Sequence, residues 1–120
     1  MKVIVAGSRK FYDYMQLMTV LIDMLEFDLI DEIVSGGAEG ADYLGETFAR
    51  ECEIDLKIFH ADWKKHGKSA GPRRNRKMAE YADCLIAFWD GKSPGTKNMI
   101  EEAEKKGLKI VIVPPREKDI

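Results

Sequence analysis

The fold of this chain follows from one segment, Ile33-Val34-Ser35-Gly36-Gly37-Ala38-Glu39-Gly40-Ala41-Asp42. Its apolar run stops at two glycines, and a third glycine precedes a helical pattern that begins near Ala41. This order predicts a β-strand, a tight turn and a helix N-terminus, the arrangement in which backbone N–H groups face an anion. Glycine suits the turn because it adopts positive φ without a Cβ clash and lets a ligand approach the backbone. A turn that only connects a strand to a helix uses the same residues, so the other predicted strand ends must be considered with it.

Length and composition are those of one globular domain that spans residues 1–120. The chain has 120 residues and a mass of 13.6 kDa, with 45% hydrophobic and 33% charged residues, enough for one core but not for two domains. Its net charge of −2 means that a nucleic-acid role would need a local basic patch. Cys52 and Cys84 are predicted to be reduced, buried apolar side chains. The apolar run after Met1 is too short for a signal peptide or a membrane span, which predicts a cytoplasmic protein without a membrane partner.

Predicted strands and helices alternate along the chain. The predicted strands are Lys2–Ala6, Ile30–Ser35, Ile54–His60, Cys84–Phe88 and Ile110–Val113. Four helices lie between them, and their predicted inner faces are Leu17, Val20, Leu21, Met24 and Leu25, then Ala41, Leu44, Phe48 and Cys52, then Met78, Ala79 and Ala82, and finally Met99, Ile100 and Ala103. Such alternation predicts right-handed βαβ crossovers. The predicted fold is α/β, a Rossmann-like, doubly wound sheet of five parallel strands in the order 3-2-1-4-5.

Helix ends and one long loop complete this prediction. Asp13 is predicted to cap the first helix, Ser93 or Thr96 the last, and Gly107 to end it. The segment from Asp62 to Gly71 has no apolar period and is predicted to be the longest loop, which in a compact domain is usually functional or disordered.

A basic stretch overlaps that loop. Residues 64–77 include seven lysines and arginines and no acid. A solvated face more often mixes both signs, so the stretch indicates an anionic partner, either nucleotide phosphates or a nucleic-acid backbone. His66 lies in it without the neighbouring ligands of a metal site, and no metal is predicted.

Ligands of doubly wound sheets bind outside the carboxyl ends of the strands, where the strand order reverses. The segments that follow these ends are Gly7–Arg9, Ser35–Asp42, His60–Trp63 and Trp89–Thr96. Helix N-termini there offer unpaired N–H groups, arginines suit phosphate oxygens, hydroxyls suit phosphate or ribose, and carboxylates accept from sugar hydroxyls. The predicted ligand-binding and phosphate-binding residues are Gly7, Ser8, Arg9, Ser35, Gly36, Gly37, Gly40, Asp42, Arg73, Arg74, Asn75, Asp90, Ser93, Gly95 and Thr96.

Several of these residues also have a purely structural interpretation. In that interpretation the sole role of Asp42 is a favourable interaction with the dipole of its helix, and the sole role of Ser93 and Thr96 is to cap a helix. Arg9 has no such explanation, and both Arg9 and Arg74 are expected at the surface. The chain has no Walker motif, no G-x-G-x-x-G fingerprint and no Ser-His-Asp order, so these chemistries are not predicted.

Together the short motifs resemble the YspA, YpsA-related branch of the SLOG superfamily. They are Gly7-Ser8-Arg9, Ser35–Asp42, Ala61-Asp62-Trp63, Gly67–Asn75 and Ser93–Thr96, and they span nearly the entire chain. The resemblance implies a Rossmann-like domain that binds nucleotides or nucleotide-derived molecules. Relatives in that superfamily include the lonely-guy phosphoribohydrolases and DNA-processing protein A, which handles single-stranded DNA and has a similar Ser-Gly-x-Ala-x-Gly-x-Asp turn.

The phosphoribohydrolases offer a residue-by-residue comparison. Residues 74–78 are similar to their Arg-Lys-x-x-Met run, which places Arg74 at their catalytic arginine. Their Gly-Gly-x-Gly-Thr-x-x-Glu motif is kept in Gly95-Thr96, but Met99 stands where their glutamate acts on the ribosyl bond. A thioether cannot transfer a proton, so hydrolysis would need a different acid, with Asp42 and Glu46 as the candidates.

Three functions remain open from the sequence. The first is a domain that binds a nucleotide or nucleotide-derived ligand, as a sensor or a nucleotide-processing domain, with no required cofactor. The second is an N-glycosyl hydrolase of nucleoside monophosphates or ADP-ribose-like compounds, with catalytic candidates Arg74, Asp42 and Glu46. The third is a single-stranded nucleic-acid binder that uses residues 64–77, against which the acidic balance and the small number of expected exposed aromatics argue. A homo-oligomer is compatible with all three.

Overall fold

A five-stranded parallel sheet organises the chain. In the computed structural model, which describes residues 1–116, the strands are β1 (Lys2–Gly7), β2 (Glu32–Ser35), β3 (Asp55–Ile58), β4 (Cys84–Phe88) and β5 (Lys109–Val113). They lie in the order β3-β2-β1-β4-β5, and all neighbours are parallel. The predicted fold class and strand order are confirmed, although β2 and β3 are two and three residues shorter than predicted. Positions 117–120, predicted to belong to the same domain, lie outside the described residues.

Helices fill the connections between the strands. They are α1 (Tyr14–Glu26), α2 (Ala41–Glu51), α3 (Trp63–His66), α4 (Ala70–Tyr81) and α5 (Pro94–Lys105). The long helices α1, α2, α4 and α5 are the four that the apolar period predicts. Within residues 1–116, no helix combines the length and the apolar character needed to cross a membrane.

The central strand β1 separates two hydrophobic cores. Its side chains alternate, so that Val3 and Val5 enter the core beneath α1 and α2, while Ile4 and Ala6 enter the core beneath α4 and α5. All four are at most 7% exposed. Because the sheet is covered on both faces, β1 and β4 read as continuous apolar runs rather than as alternating ones. This double cover buries the faces of the central strands β1 and β4 and leaves their ends accessible.

One residue departs from the predicted inner face of α2. Cys84 is buried, but Cys52 is exposed, so the prediction of two buried cysteines is wrong. Helix α2 ends at Glu51 and Cys52 is its C-cap residue, where the helical period no longer directs a side chain to the core. Glu53 follows with φ +54°, and the chain turns towards β3.

The predicted loop between Asp62 and Gly71 is largely helical. The carboxylate of Asp62 accepts a hydrogen bond from the Lys65 N–H at 3.1 Å and caps α3, and a short 3₁₀ turn (Gly67–Ser69) leads into α4. An apolar period is absent because none of the residues of α3 or of the 3₁₀ turn is buried. A short helix that packs little surface gives no periodic signal in the sequence.

The predicted cap of α1 is present, and the predicted side-chain cap of α5 is not. The Asp13 carboxylate accepts from the Gln16 N–H at 3.1 Å. Ser93 occupies the N-cap position of α5 but makes no side-chain capping bond, and its hydroxyl lies 3.2 Å from that of Thr96. Gly107, with φ +72°, follows the C-cap of α5. The first turn of α5 therefore retains unpaired N–H groups.

Backbone proximity joins the loop after β1 to the start of α2. Gly40 has φ +73°, and a Cβ at this position would lie 2.3 Å from the Ser8 carbonyl oxygen and 2.5 Å from the Arg9 carbonyl carbon. The same Ser8 oxygen accepts from the Ala41 N–H at 3.2 Å. Any side chain at Gly40 would therefore force the two loops apart.

This contact predicts unequal costs for alanine substitutions at two glycines with similar positive φ. Gly107 has φ +72°, but a Cβ there would meet nothing within 4 Å. We expect Gly107→Ala to cost about 1 kcal/mol from its positive φ alone, and Gly40→Ala to cost at least about 3 kcal/mol because its ψ of −124° also disfavours a side chain and because backbone must move. Urea unfolding of both variants measures the difference. Equal losses would contradict a tight contact at Gly40.

Candidate functional site

A cleft of about 470 Å³ opens at the carboxyl ends of β1, β2 and β4. The predicted residues that line it are Gly7, Ser8, Arg9, Asp42, Arg74, Asn75, Asp90, Ser93, Gly95 and Thr96. A second cavity of about 410 Å³ adjoins it, and Arg9, Ala38 and Arg74 line both. We call them the first lobe and the second lobe. Gly36 and Gly37 line the second lobe, so the structure brings together residues from three strand ends.

The glycine turn folds around an internal carboxylate. Asp42 is 7% exposed, and its Oδ2 accepts from the Ala38 N–H at 3.3 Å. A Cβ on Gly36 would lie 2.8 Å from that oxygen and 3.0 Å from the Arg74 guanidinium carbon. Burial raises the pKa of Asp42 to about 6, with Glu46 adding to the rise, while the Ala38 N–H and the Arg74 charge oppose it. The anion that the turn faces is thus the protein's own Asp42, where the sequence pattern suggested a ligand.

Ser35 and Glu46 lie behind this turn. Ser35 is fully buried, and its hydroxyl donates to Glu46 Oε2 at 2.6 Å and accepts from the Gly37 N–H at 3.0 Å. The other Glu46 oxygen lies 3.6 Å from the Arg50 guanidinium. Glu46, like Gly40, borders a shallow cavity on the far side of the turn. Both polar side chains therefore hold the turn in place, and neither lines the lobes.

Arg74 and Asn75 form a bridge across the site. The Arg74 guanidinium donates through Nη1 to the Gly36 carbonyl at 2.6 Å and through Nε to Asn75 Oδ1 at 3.0 Å. Asn75, 4% exposed, donates to Asn98 Oδ1 at 2.9 Å and to the Gly95 carbonyl at 3.4 Å. Burial lowers the pKa of Arg74, and the neighbouring Asp42 counteracts this. Arg74 lines the cleft but is half-buried, because it ties α4 to the glycine turn.

The rim of the first lobe carries exposed positive charge. Arg9, Lys10 and Lys92 line it and are exposed. Lys10 and Lys92 are absent from the predicted set, although each adjoins a predicted segment. At the same rim, a Cβ on Gly95 would meet nothing within 4 Å, so the first turn of α5 opens into the cleft.

Asp90 shapes the loop that precedes α5. Its Oδ1 accepts from the Lys92 N–H at 2.8 Å and from the Ser93 N–H at 3.2 Å. These two bonds lower the pKa of Asp90. Asp90 is therefore an ionised acceptor that closes its own turn, in the way that aspartate side chains stabilise loops.

Exposed aromatic side chains lie in and near the second lobe and the glycine turn. Trp63 is 52% exposed and lines the second lobe with His60. Tyr12 and Tyr43, 56% and 55% exposed, border the far side of the glycine turn. The expectation of few exposed aromatics is therefore wrong at this end of the molecule. The sequence does contain a signal for the exposure of Trp63, because its two neighbours, Asp62 and Lys64, are charged.

Helix α5 brings no carboxylate into the cleft. Met99 is 1% exposed and lines the first lobe. One turn later Glu102 is buried, with its oxygens 3.7 Å from Arg76 and 3.5 Å from Lys105. Arg73, from the predicted set, lies in a separate cavity of about 210 Å³ with His66. Of the carboxylates in the predicted set, only Asp42 and Asp90 line the first lobe.

The raised pKa of Asp42 predicts a pH-dependent effect of Asp42→Asn. The folded chain binds this proton more tightly than the unfolded chain, because the folded pKa is about 6 and the ordinary value is 3.8. As the pH rises from 3.8 to about 6, ionisation of Asp42 therefore lowers the free energy of unfolding. Since one pKa unit corresponds to about 1.4 kcal/mol, the stability of the variant relative to wild type should rise by up to about 3 kcal/mol from pH 4 to pH 7. Urea unfolding across this range, with Glu101→Gln as control, measures it. A constant difference would contradict the burial of this charge.

The chain has clear similarities to known proteins. It is 34% identical over 119 residues to the Gene 61 protein of Mycobacterium phage D29, covering 92% of this chain and 94% of that protein. Its fold is similar to that of DNA processing protein A (DprA) from Streptococcus pneumoniae, with a TM-score of 0.77, 23% identity and 98% of this chain covered. The chain spans about half of that protein, 52%. The sequence model of the YspA, cpYpsA-related SLOG family matches residues 1–66, and the chain therefore belongs to this family.

Proposed function

We propose that the first lobe binds the phosphate of a nucleotide or nucleotide-derived ligand, and that the chain acts as a sensor or a nucleotide-processing domain. The observation that carries the proposal is that the exposed Arg9 side chain and the open first turn of α5 line the same cleft. Helix N-termini present N–H groups and partial positive charge to anions. An arginine adds charge-assisted hydrogen bonds with the geometry that phosphate oxygens prefer.

Shape and family also support a nucleotide. A volume of about 470 Å³ lies within the roughly 300–1,000 Å³ that is usual for small-molecule sites. The cleft lies at the carboxyl ends of parallel strands, where doubly wound sheets bind their ligands. The family resemblance implies nucleotide-derived ligands. The charge of buried Asp42 repels a phosphate from the glycine turn, so the phosphate binds more favourably at the first turn of α5.

The same site argues for binding rather than hydrolysis. At the position where the resembling hydrolases have a glutamate, the chain has the buried thioether of Met99, which transfers no proton. Arg74 already donates to Gly36 and Asn75, so it positions the turn. Asp42, which lines the first lobe, is the acid whose pKa burial raises to about 6. Hydrolysis would therefore depend on Asp42.

Single-stranded nucleic acid is the second candidate, favoured by one observation. Trp63 is half exposed at the start of the basic stretch and lines the second lobe. Exposed aromatics beside lysines and arginines are the features that bind single strands by stacking and charge. The first lobe favours the smaller ligand because its floor closes on Met99 and Thr96, which are at most 4% exposed.

The proposal predicts a specific loss of affinity in Arg9→Ala. Removing a hydrogen bond to a charged group is worth about 1.5–3 kcal/mol, so binding of the tightest nucleoside 5′-monophosphate should weaken roughly 10-fold to 150-fold. The free energy of unfolding should not change, since the side chain is exposed. Calorimetric titration measures the affinity, with Lys106→Ala at the far end of α5 as a charge-matched control.

Two results would contradict this assignment of the phosphate site. One is equal affinity of the wild type and Arg9→Ala for every nucleotide tested. The other is binding of a single-stranded oligonucleotide at concentrations where no mononucleotide binds, with loss of that binding in Trp63→Ala. The second result would support the nucleic-acid candidate instead.

The proposal further predicts little turnover of nucleoside 5′-monophosphates. General acid–base help is worth roughly 10²–10⁴-fold, and the carboxylate that would provide it on α5 is absent. We expect chromatography to detect no release of free base at enzymatic rates after incubation with each monophosphate. Rapid release that disappears in Asp42→Asn would show that the acid lies on α2, and that the chain is a hydrolase.

A further inference from the structure

The two oxygens of the Asp42 carboxylate have different surroundings. Oδ2 accepts from the Ala38 N–H at 3.3 Å and would lie 2.8 Å from a Cβ on Gly36, and the Gly36 N–H also lowers the pKa of this carboxyl group. Among residues 1–116, the hydrogen bond to this carboxylate that is shorter than 3.5 Å is the one to Oδ2, and no fully buried side-chain oxygen lacks a partner. Oδ1 is therefore not fully buried. Because Asp42 is 7% exposed and lines the first lobe, Oδ1 is the oxygen that a ligand in this lobe can reach.

An ionised carboxylate can only accept hydrogen bonds, so it recognises a donor. Little water competes at a buried acceptor, which strengthens the bond that a ligand makes there. It also repels a phosphate at short range. Asp90, which lines the same lobe, accepts from the Lys92 and Ser93 N–H groups through Oδ1 and is exposed, so water competes at its other oxygen. Asp42 is therefore the better-placed acceptor for a ligand hydroxyl or amino group.

A chain of contacts fixes where that acceptor lies relative to the phosphate seat. The Gly95 carbonyl at the start of α5 contacts Asn75 at 3.4 Å, Asn75 contacts Arg74 at 3.0 Å, and Arg74 contacts Gly36 at 2.6 Å. Gly36 in turn packs on the Asp42 carboxylate. The first turn of α5 and Asp42 thus lie at the two ends of the Arg74–Asn75 bridge. In a nucleotide, the sugar hydroxyls are the donors that lie one sugar ring away from the 5′-phosphate.

We propose that Asp42 selects ribonucleotides over deoxyribonucleotides by accepting a hydrogen bond from a ribose hydroxyl through Oδ1. The inference rests on the proposed function, because it places the phosphate at α5. Phosphate affinity comes from Arg9 and the helix N-terminus, and sugar selectivity comes from Asp42. The two contributions are separable by experiment.

The test compares nucleoside 5′-monophosphates with their 2′-deoxy and 3′-deoxy forms, for all four bases, by calorimetric titration. We expect the wild type to bind the ribose form at least about tenfold more tightly than one of its deoxy forms, the loss typical of a hydrogen bond to a charged group. In Asp42→Asn this ratio should fall to less than about threefold. Glu101→Gln, which removes the same charge from an exposed position on α5, should leave the ratio unchanged.

The comparison of ligands on the wild type needs no variant, so it stands even if Asp42→Asn folds poorly. Equal affinity for ribose and deoxy forms would overturn the inference while leaving the phosphate site intact. Equal weakening of both forms in Asp42→Asn would also overturn it, since Asp42 would then only hold the glycine turn. If no monophosphate binds the wild type, the proposed function fails, and this inference fails with it.

Discussion

The burial of the Asp42 carboxylate inside the glycine turn is the constraint on which this end of the molecule depends. A buried carboxylate is unfavourable unless donors and opposite charge surround it. The chain meets this requirement with the Ala38 N–H and the Arg74 guanidinium. Arg74 can approach only because Gly36 has no side chain. The turn, the start of α2 and the start of α4 are therefore positioned together.

This arrangement changes the usual interpretation of a glycine turn at a strand end. Such turns often offer their N–H groups to a phosphate. Here the protein supplies the anion, in the carboxylate of Asp42. The first turn of α5 opens into the same cleft, and Arg9 lines both lobes. Under the proposed function, the first lobe consequently attracts phosphate at the first turn of α5 and repels it at Asp42. A polar cleft with this asymmetry orients a ligand that carries a phosphate at one end and hydroxyl groups at the other.

The chain has a known family and a known fold, and it differs from the resembling hydrolases in particular side chains. Met99 removes the carboxylate that the resembling hydrolases carry on this helix. Glu102, the next acid on the same face of α5, is paired with Arg76 and Lys105. Trp63, at the edge of the second lobe, adds a stacking surface next to the basic residues of α3. These three positions are the ones that distinguish nucleotide binding, hydrolysis and nucleic-acid binding as candidate functions of this fold.

Local sequence by itself determined most of the fold. The apolar run of β4, the i, i+3, i+4 stripe of α1 and the cap at Asp13 are properties of neighbouring residues, and the alternation of strand and helix leaves few ways to connect a parallel sheet. The convergence of Arg9, Asp42 and Gly95 on one cleft could also be predicted, because carboxyl ends of parallel strands share an edge. The short helix α3 and the exposed Cys52 could not, since neither depends on a periodic pattern.

Only the tertiary structure decided which of the candidate residues face the cleft and which hold it together. Ser35, Glu46 and Asp42 have side chains that suit a ligand equally well in the sequence. Hydrogen bonds turn Ser35 and Glu46 towards each other behind the turn, while one oxygen of Asp42 stays in contact with the first lobe. The turn between them is held by Arg74, which lies 32 residues after Asp42, donates to the Gly36 carbonyl and reaches the turn only when α4 packs on the sheet. Such a long-range contact has no signature in local sequence, because it is created by packing.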